Sequence, residues 1–153
     1  MHLGIVKIFM EDLARYFDKF SESGIRILKS SLAETQQRNQ HFISPEHILY
    51  ALIKEEPELF SATMHKHSID PQEVQLAVEK RLASSPRHAG EGFRIAPNAT
   101  DIFKYSMDKA RAENRRTIEA SDICHILATW KVNLLEDILQ NPEGSISVFG
   151  NNR

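Results

Sequence analysis

The sequence predicts an all-α protein of about eight helices, built as two four-helix repeats related by a pseudo-twofold axis, with the second repeat truncated at its C-terminus. Three observations predict it: an internal duplication, helix start and stop signals that recur along the chain, and a near absence of strand signals. Residues 20–53 align without a gap on residues 95–128. Ile43 and Ile118, Ile48 and Ile123, Asn39 and Asn114, and Leu52 and Leu127 each stand 75 positions apart. A register held that long implies one supersecondary unit present twice, its copies packed against each other. The chain divides into a leader over 1–19, repeat 1 over 20–83, a linker over 84–94, repeat 2 over 95–141 and a tail over 142–153.

Each element follows from local chemistry. In the first helix of repeat 1, Ile25, Leu28 and Leu32 share one face, as do Ala99, Phe103, Met107 and Ala110 in repeat 2. Both helices should end near Asn39 and Asn114, because asparagine tolerates the left-handed conformation of a helix cap. Ser44, Pro45 and Glu46 then supply a cap, a first-position proline and a first-turn acid. Behind them Ile48, Leu49, Leu52 and Ile53 form a buried face, and Ile123, Ile126 and Leu127 take the matching places in repeat 2. A third helix starts at Pro57 and should bury Leu59, Phe60, Thr63 and Met64; its counterpart should bury Leu134, Leu135, Ile138 and Leu139. Asp70-Pro71-Gln72-Glu73 opens a fourth helix carrying Val74, Leu76, Ala77, Val78 and Leu82. The stretch from Ser84 to Arg94, with its proline and glycines, separates the copies, and Ser145 to Arg153 is too short for a full fourth helix.

Composition narrows the function. The chain's 153 residues suffice for one well-buried core. With 19 basic and 21 acidic residues, net charge −2, it lacks the basic excess with which nucleic-acid binders neutralise phosphates. Its single cysteine, Cys124, allows no internal disulfide and points to a reducing, cytoplasmic setting. The apolar start, Leu3 to Phe9, is interrupted by Lys7 and too short for a membrane span. There is no Gly-x-x-x-x-Gly-Lys-Ser/Thr loop, so any ATP chemistry belongs to domains outside this sequence, and no cofactor is expected.

The segment Phe20-Ser-Glu-Ser-Gly-Ile-Arg-Ile-Leu28, followed by Ile43-Ser-Pro-Glu-His-Ile-Leu49, resembles the N-terminal repeat domain of the Clp-family AAA+ unfoldases. That family's repeat reads roughly F-T-x-x-A-x-x-x-L, then I-G-T-E-H-L-L. Repeat 1 keeps Phe20, Leu28 and the Glu46-His47 pair, whereas repeat 2 has Ala120-Ser121-Asp122 where the family has Thr-Glu-His. The resemblance covers about residues 20–140. It implies a non-enzymatic chaperone domain that docks adaptor proteins and unfolded or marked clients and passes them to an AAA+ ring, in cis or in trans. It further implies that Glu46 engages the guanidinium of phosphorylated arginine on clients, an ability weakened in repeat 2, where Ser121 is uncharged.

The candidate ligand residues on that basis are Glu46, His47, Ser121 and Asp122. A first-turn acid also serves the helix dipole by itself, and His47 also suits packing against the preceding loop. Tyr16, Phe17, Arg115 and Arg116 are candidates for a protein-interaction surface, either a groove between the repeats or an apolar patch rimmed by charge. Phe20 is expected in the core. The seven histidines show no metal-ligand spacing, and Cys124 among Ile123, Ile126 and Leu127 reads as a buried thiol. Two rival readings remain: a free-standing Clp-repeat subunit regulating or assembling a Clp protease, and a histone-like DNA binder suggested by Arg115-Arg116-Thr-Ile-Glu-Ala-Ser-Asp-Ile123. The second would need a long central helix.

Overall fold

The computed structural model describes residues 18–85, 94–130 and 134–146. Helix α1 (Glu22–Gln37) opens on Ser21, whose hydroxyl accepts the Gly24 N–H at 3.3 Å. A short strand β1 (Phe42–Ile43) leads into α2 (Pro45–Glu55), and α3 (Pro57–Lys66) and α4 (Pro71–Ser84) complete repeat 1. Repeat 2 holds β2 (Arg94–Ile95), α5 (Pro97–Ala112), α6 (Ala120–Thr129) and α7 (Leu134–Gln140). Among the described residues there are thus seven helices, and α1 and α5 start and stop 75 positions apart.

Local signals act where expected. Asn39 and Asn114 both adopt positive φ, 54° and 62°, and the residue after each closes its helix through N–H bonds from Gln40 to Thr35 and from Arg115 to Ala110. Asp70 caps α4 by accepting the Gln72 N–H at 2.9 Å.

The two strands were not anticipated. Phe42 pairs with Arg94 and Ile43 with Ile95 in a parallel ladder, and an isolated parallel bridge joins Phe20 to Ile118. Of these residues Phe20, Ile43 and Ile118 are buried, where backbone groups need partners. Ala96 N–H donates to the Ile43 carbonyl and Ser21 N–H to the Ile118 carbonyl, both at 2.9 Å. The pairs exchange members across the duplication: Phe20 and Ile95 are 75 apart, as are Ile118 and Ile43. Such an exchange is compatible with a twofold relation between the copies. The sequence read as strand-free because each ladder is two residues long and its partner lies far along the chain.

One apolar core runs through both copies. Leu28, Ile43, Ile48, Leu52, Met64, Ile102, Ile118, Ile123 and Ile138 are all buried in it, and the Phe20 and Phe103 rings meet edge-to-face at 5.3 Å. Phe20 is core, as expected. Several apolar assignments shift, and Thr63 and Ile126 are half-buried. On α1 the buried stripe uses Ile27 rather than Ile25, which is half-buried. Leu59 and Leu139 are half-buried. Leu76 is 61% exposed, because the core side of α4 is Val74, Ala77, Val78, Arg81 and Leu82. The longest described helices have 16 residues, and none supplies the long central helix of a histone fold.

Candidate functional site

The residues singled out in the sequence converge on the first turns of α2 and α6. Ser44 caps α2 by accepting the His47 N–H, and the His47 ring returns the bond, its Nδ1 accepting the Ser44 N–H at 3.0 Å. That assigns the ring proton to Nε2, which donates to Gln40 Oε1 at 2.6 Å. Gln40 in turn donates to the Leu82 carbonyl on α4 at 3.0 Å. Burial, then the nearby Arg38 cation, pushes the His47 imidazole down to about 3, with Glu34 opposing weakly. His47 is a neutral, wholly buried capping residue.

At the same place in repeat 2, Asp122 accepts the Glu119 N–H at 2.8 Å. This bond ties Glu119 to the first turn of α6. The carboxylate also takes both Arg115 nitrogens, at 2.6 and 2.7 Å, and Lys109 Nζ at 2.9 Å. Burial by itself would raise this carboxyl; the Arg115 fork, the Glu119 amide and Lys109 outweigh it and hold it at about 2.

Glu46 is fully buried, and its carboxylate receives Arg81 Nη1 at 3.2 Å. Arg81, itself 1% exposed, also reaches the Asp137 carboxylate at 2.9 Å and the carbonyls of Asp137 and Asn141. One guanidinium therefore joins α2, α4 and α7. Glu46, His47 and Asp122, expected from the sequence as ligand-binding residues, each lie at 0% exposure with internal partners. Ser121 is exposed. Of the expected interaction residues, Arg115 is tied to Asp122, Glu113 and Glu119, Arg116 is exposed, and Tyr16 and Phe17 lie outside the described residues. Arg81 was missed in the sequence, although its place in the buried register of α4, seven residues after Val74, marks it as an interior cation.

Among the described residues no group of three or more His, Cys, Asp or Glu could hold a metal ion. Cys124 is buried, which raises its thiol pKa, with a bond to Thr63 acting in the opposite sense.

An accessible feature lies elsewhere, on repeat 1. Helices α2, α3 and the start of α4 enclose an open cleft of about 610 Å³, walled by Tyr50, Ile53, Pro57, Phe60 and Pro71 and edged by Lys54, Ser61, His65, Asp70, Gln72 and Gln75. Its Tyr50 wall is held by charge. Arg38 and Lys54 lie 5.4 and 5.9 Å from the ring centre, and both cations bond to the buried Glu34. The cleft sits within repeat 1.

Residues 19–141 match the family described as Clp repeat (R) N-terminal domain. The chain belongs to that family. Similar curated proteins include the ATP-dependent Clp protease ATP-binding subunit ClpC of Staphylococcus aureus (strain USA300), 28% identical over 95 residues, or 62% of this chain and 12% of ClpC. The chloroplastic chaperone protein ClpC2 of Arabidopsis thaliana is 23% identical over 62% of this chain and 10% of its own length. The chain thus spans about an eighth of the length of the curated relatives it matches. Among solved structures, the Hsp104 N-terminal domain from Candida albicans superposes with a TM-score of 0.68 at 16% identity, covering 83% of each chain. That likeness shows the all-α Clp N-terminal fold. No described helix of this Clp N-terminal domain is long and apolar enough to cross a membrane.

Proposed function

We propose that this Clp N-terminal domain is a non-catalytic docking module that holds adaptor proteins or unfolded client segments for a Clp-type AAA+ unfoldase of the cytoplasm. Protein unfolding, and delivery to a protease or to disaggregation, take place in ATPase modules outside this sequence. The observation that supports this reading is the cleft of α2, α3 and α4: its walls are aromatic, aliphatic and proline surfaces, and its rim is polar. Extended polypeptide buries an apolar anchor in such a concavity and leaves its backbone to the rim. Binding there makes and breaks no covalent bond. Affinity in the micromolar range, about −8 kcal/mol, suits a segment that must be handed on. Phosphoarginine recognition through Glu46 forms no part of the proposal, since Arg81 already holds that carboxylate.

The test is binding of a reduced, alkylated and therefore permanently unfolded protein, followed by fluorescence anisotropy. Ser61→Trp fills the cleft and Tyr50→Ala removes a wall. Each should weaken binding about tenfold or more, the loss of one anchor, while leaving the thermal unfolding curve close to wild type. Equal binding by wild type and both variants would place the docking surface elsewhere.

A further inference from the structure

We infer that α7 and the segment running on to Ile146 form a strap, closed by the Arg81 guanidinium, that opens as a unit while the rest of the domain stays folded. Helix α7 has no basic residue in its last turn to meet its terminal carbonyls. Arg81 supplies that cation from α4, with Nη2 donating to the carbonyls of Asp137 and Asn141 and Nη1 to the Asp137 carboxylate. Beyond α7 the attachment continues on the same turn of α4. Ser85 Oγ donates to the Arg81 carbonyl at 2.7 Å and accepts the Ile146 N–H at 2.8 Å.

The closed clasp is incomplete. Arg81 Nε is buried and has no acceptor among the described residues. A guanidinium has five donor N–H groups, and one left dry carries a desolvation penalty. Opening relieves it, because water then reaches the guanidinium while Glu46 remains its counter-charge. Asp137, the strap's own carboxylate, is 53% exposed, so this half of the clasp already competes with water. Opening bares Leu134, Leu135 and Ile138, which are buried when the strap is closed. The domain therefore holds a second apolar surface in reserve.

The test is amide hydrogen exchange on the whole chain. Asp137→Ala removes the charged bond of the clasp and leaves the carbonyl bonds and the buried Glu46–Arg81 pair, and Ser85→Ala removes the acceptor for Ile146. In Asp137→Ala, amides of residues 134–146 should exchange about tenfold faster, the loss of one water-exposed charged hydrogen bond. Amides of α1 and α5 should keep their wild-type rates. Ser85→Ala should give a smaller acceleration confined to the same segment. Uniform acceleration through all helices, or no change in 134–146 in either variant, would overturn the strap.

Discussion

His47 and Asp122 stand at equivalent places in the two repeats, and each side chain reaches back to the backbone N–H that begins its own helix, at 3.0 and 2.8 Å. The geometry is shared and the chemistry is not. Repeat 1 closes its cap with a neutral imidazole and the Gln40 amide, whereas repeat 2 uses a carboxylate and the Arg115 guanidinium. Gln40 and Arg115 are likewise 75 positions apart, so both partners changed together in charge while the scaffold kept its shape.

The neutral cap makes stability depend on pH. An unfolded histidine takes up a proton as pH falls through about 6.5, whereas folded His47 resists down to about 3. Between those values the unfolded chain binds more protons, so stability is fully present above pH 6.5 and declines as acid is added. The slope should approach about 1.4 kcal/mol per pH unit. Half-buried His125, also lowered by burial and by the nearby Lys109 and Lys66 cations, adds in the same direction. Urea unfolding between pH 7 and pH 5 measures this, and His47→Gln should flatten most of the slope. A variant slope as steep as wild type would show that His47 does not titrate in this way.

The charged cap behaves differently. Asp122 holds its proton off until about pH 2, below its ordinary 3.8, so its contribution persists through the whole physiological range and is lost only in strong acid. Asp122→Asn keeps an acceptor for the Glu119 N–H but removes the buried charge shared by Arg115 and Lys109, leaving them the more exposed Glu113. The expected cost at pH 7 is about 2–4 kcal/mol by chemical denaturation. A loss under about 1 kcal/mol would mean that the neighbouring Glu113 and Glu119 suffice.

Gly24 should reject even a methyl group. A Cβ there would collide with the Ile118 carbonyl oxygen and the Phe20 ring, at the point where the two repeats cross. Helix propensity favours alanine by about 1 kcal/mol. The collision is with backbone that already bonds to Ser21, so it cannot yield cheaply. Gly24→Ala is expected to lower stability by about 1–3 kcal/mol, and a thermal midpoint at or above wild type would contradict the packing.

Ser23 and Asn98, another pair 75 apart, should respond unequally to alanine. Ser23 Oγ accepts the Ala120 N–H at 3.0 Å. The equivalent donor for Asn98 would come from position 45, where proline has no N–H, and Asn98 Oδ1 is buried without a partner among the described residues. Ser23→Ala should cost about 1 kcal/mol, whereas Asn98→Ala should stay within about 0.5 kcal/mol, because a buried unbonded acceptor is removed. The reverse order in denaturant midpoints would refute this account.

The sequence by itself determined the duplication, the ends of α1 and α5, the Ser44 and Asp70 caps and the left-handed turns at Asn39 and Asn114. Each depends on side chains and amides within one or two turns of each other, so a short window contains the whole interaction. Tertiary structure alone decided the rest. Glu46 looks like a presented acid in its own helix, and only the packing of α4, 35 positions later, buries it against Arg81. Arg81 meets Asp137 a further 56 positions on, and β1 finds β2 across a linker. Whether Glu46 faces solvent or another residue is set by what folds over it, and the pattern of its own helix does not record that.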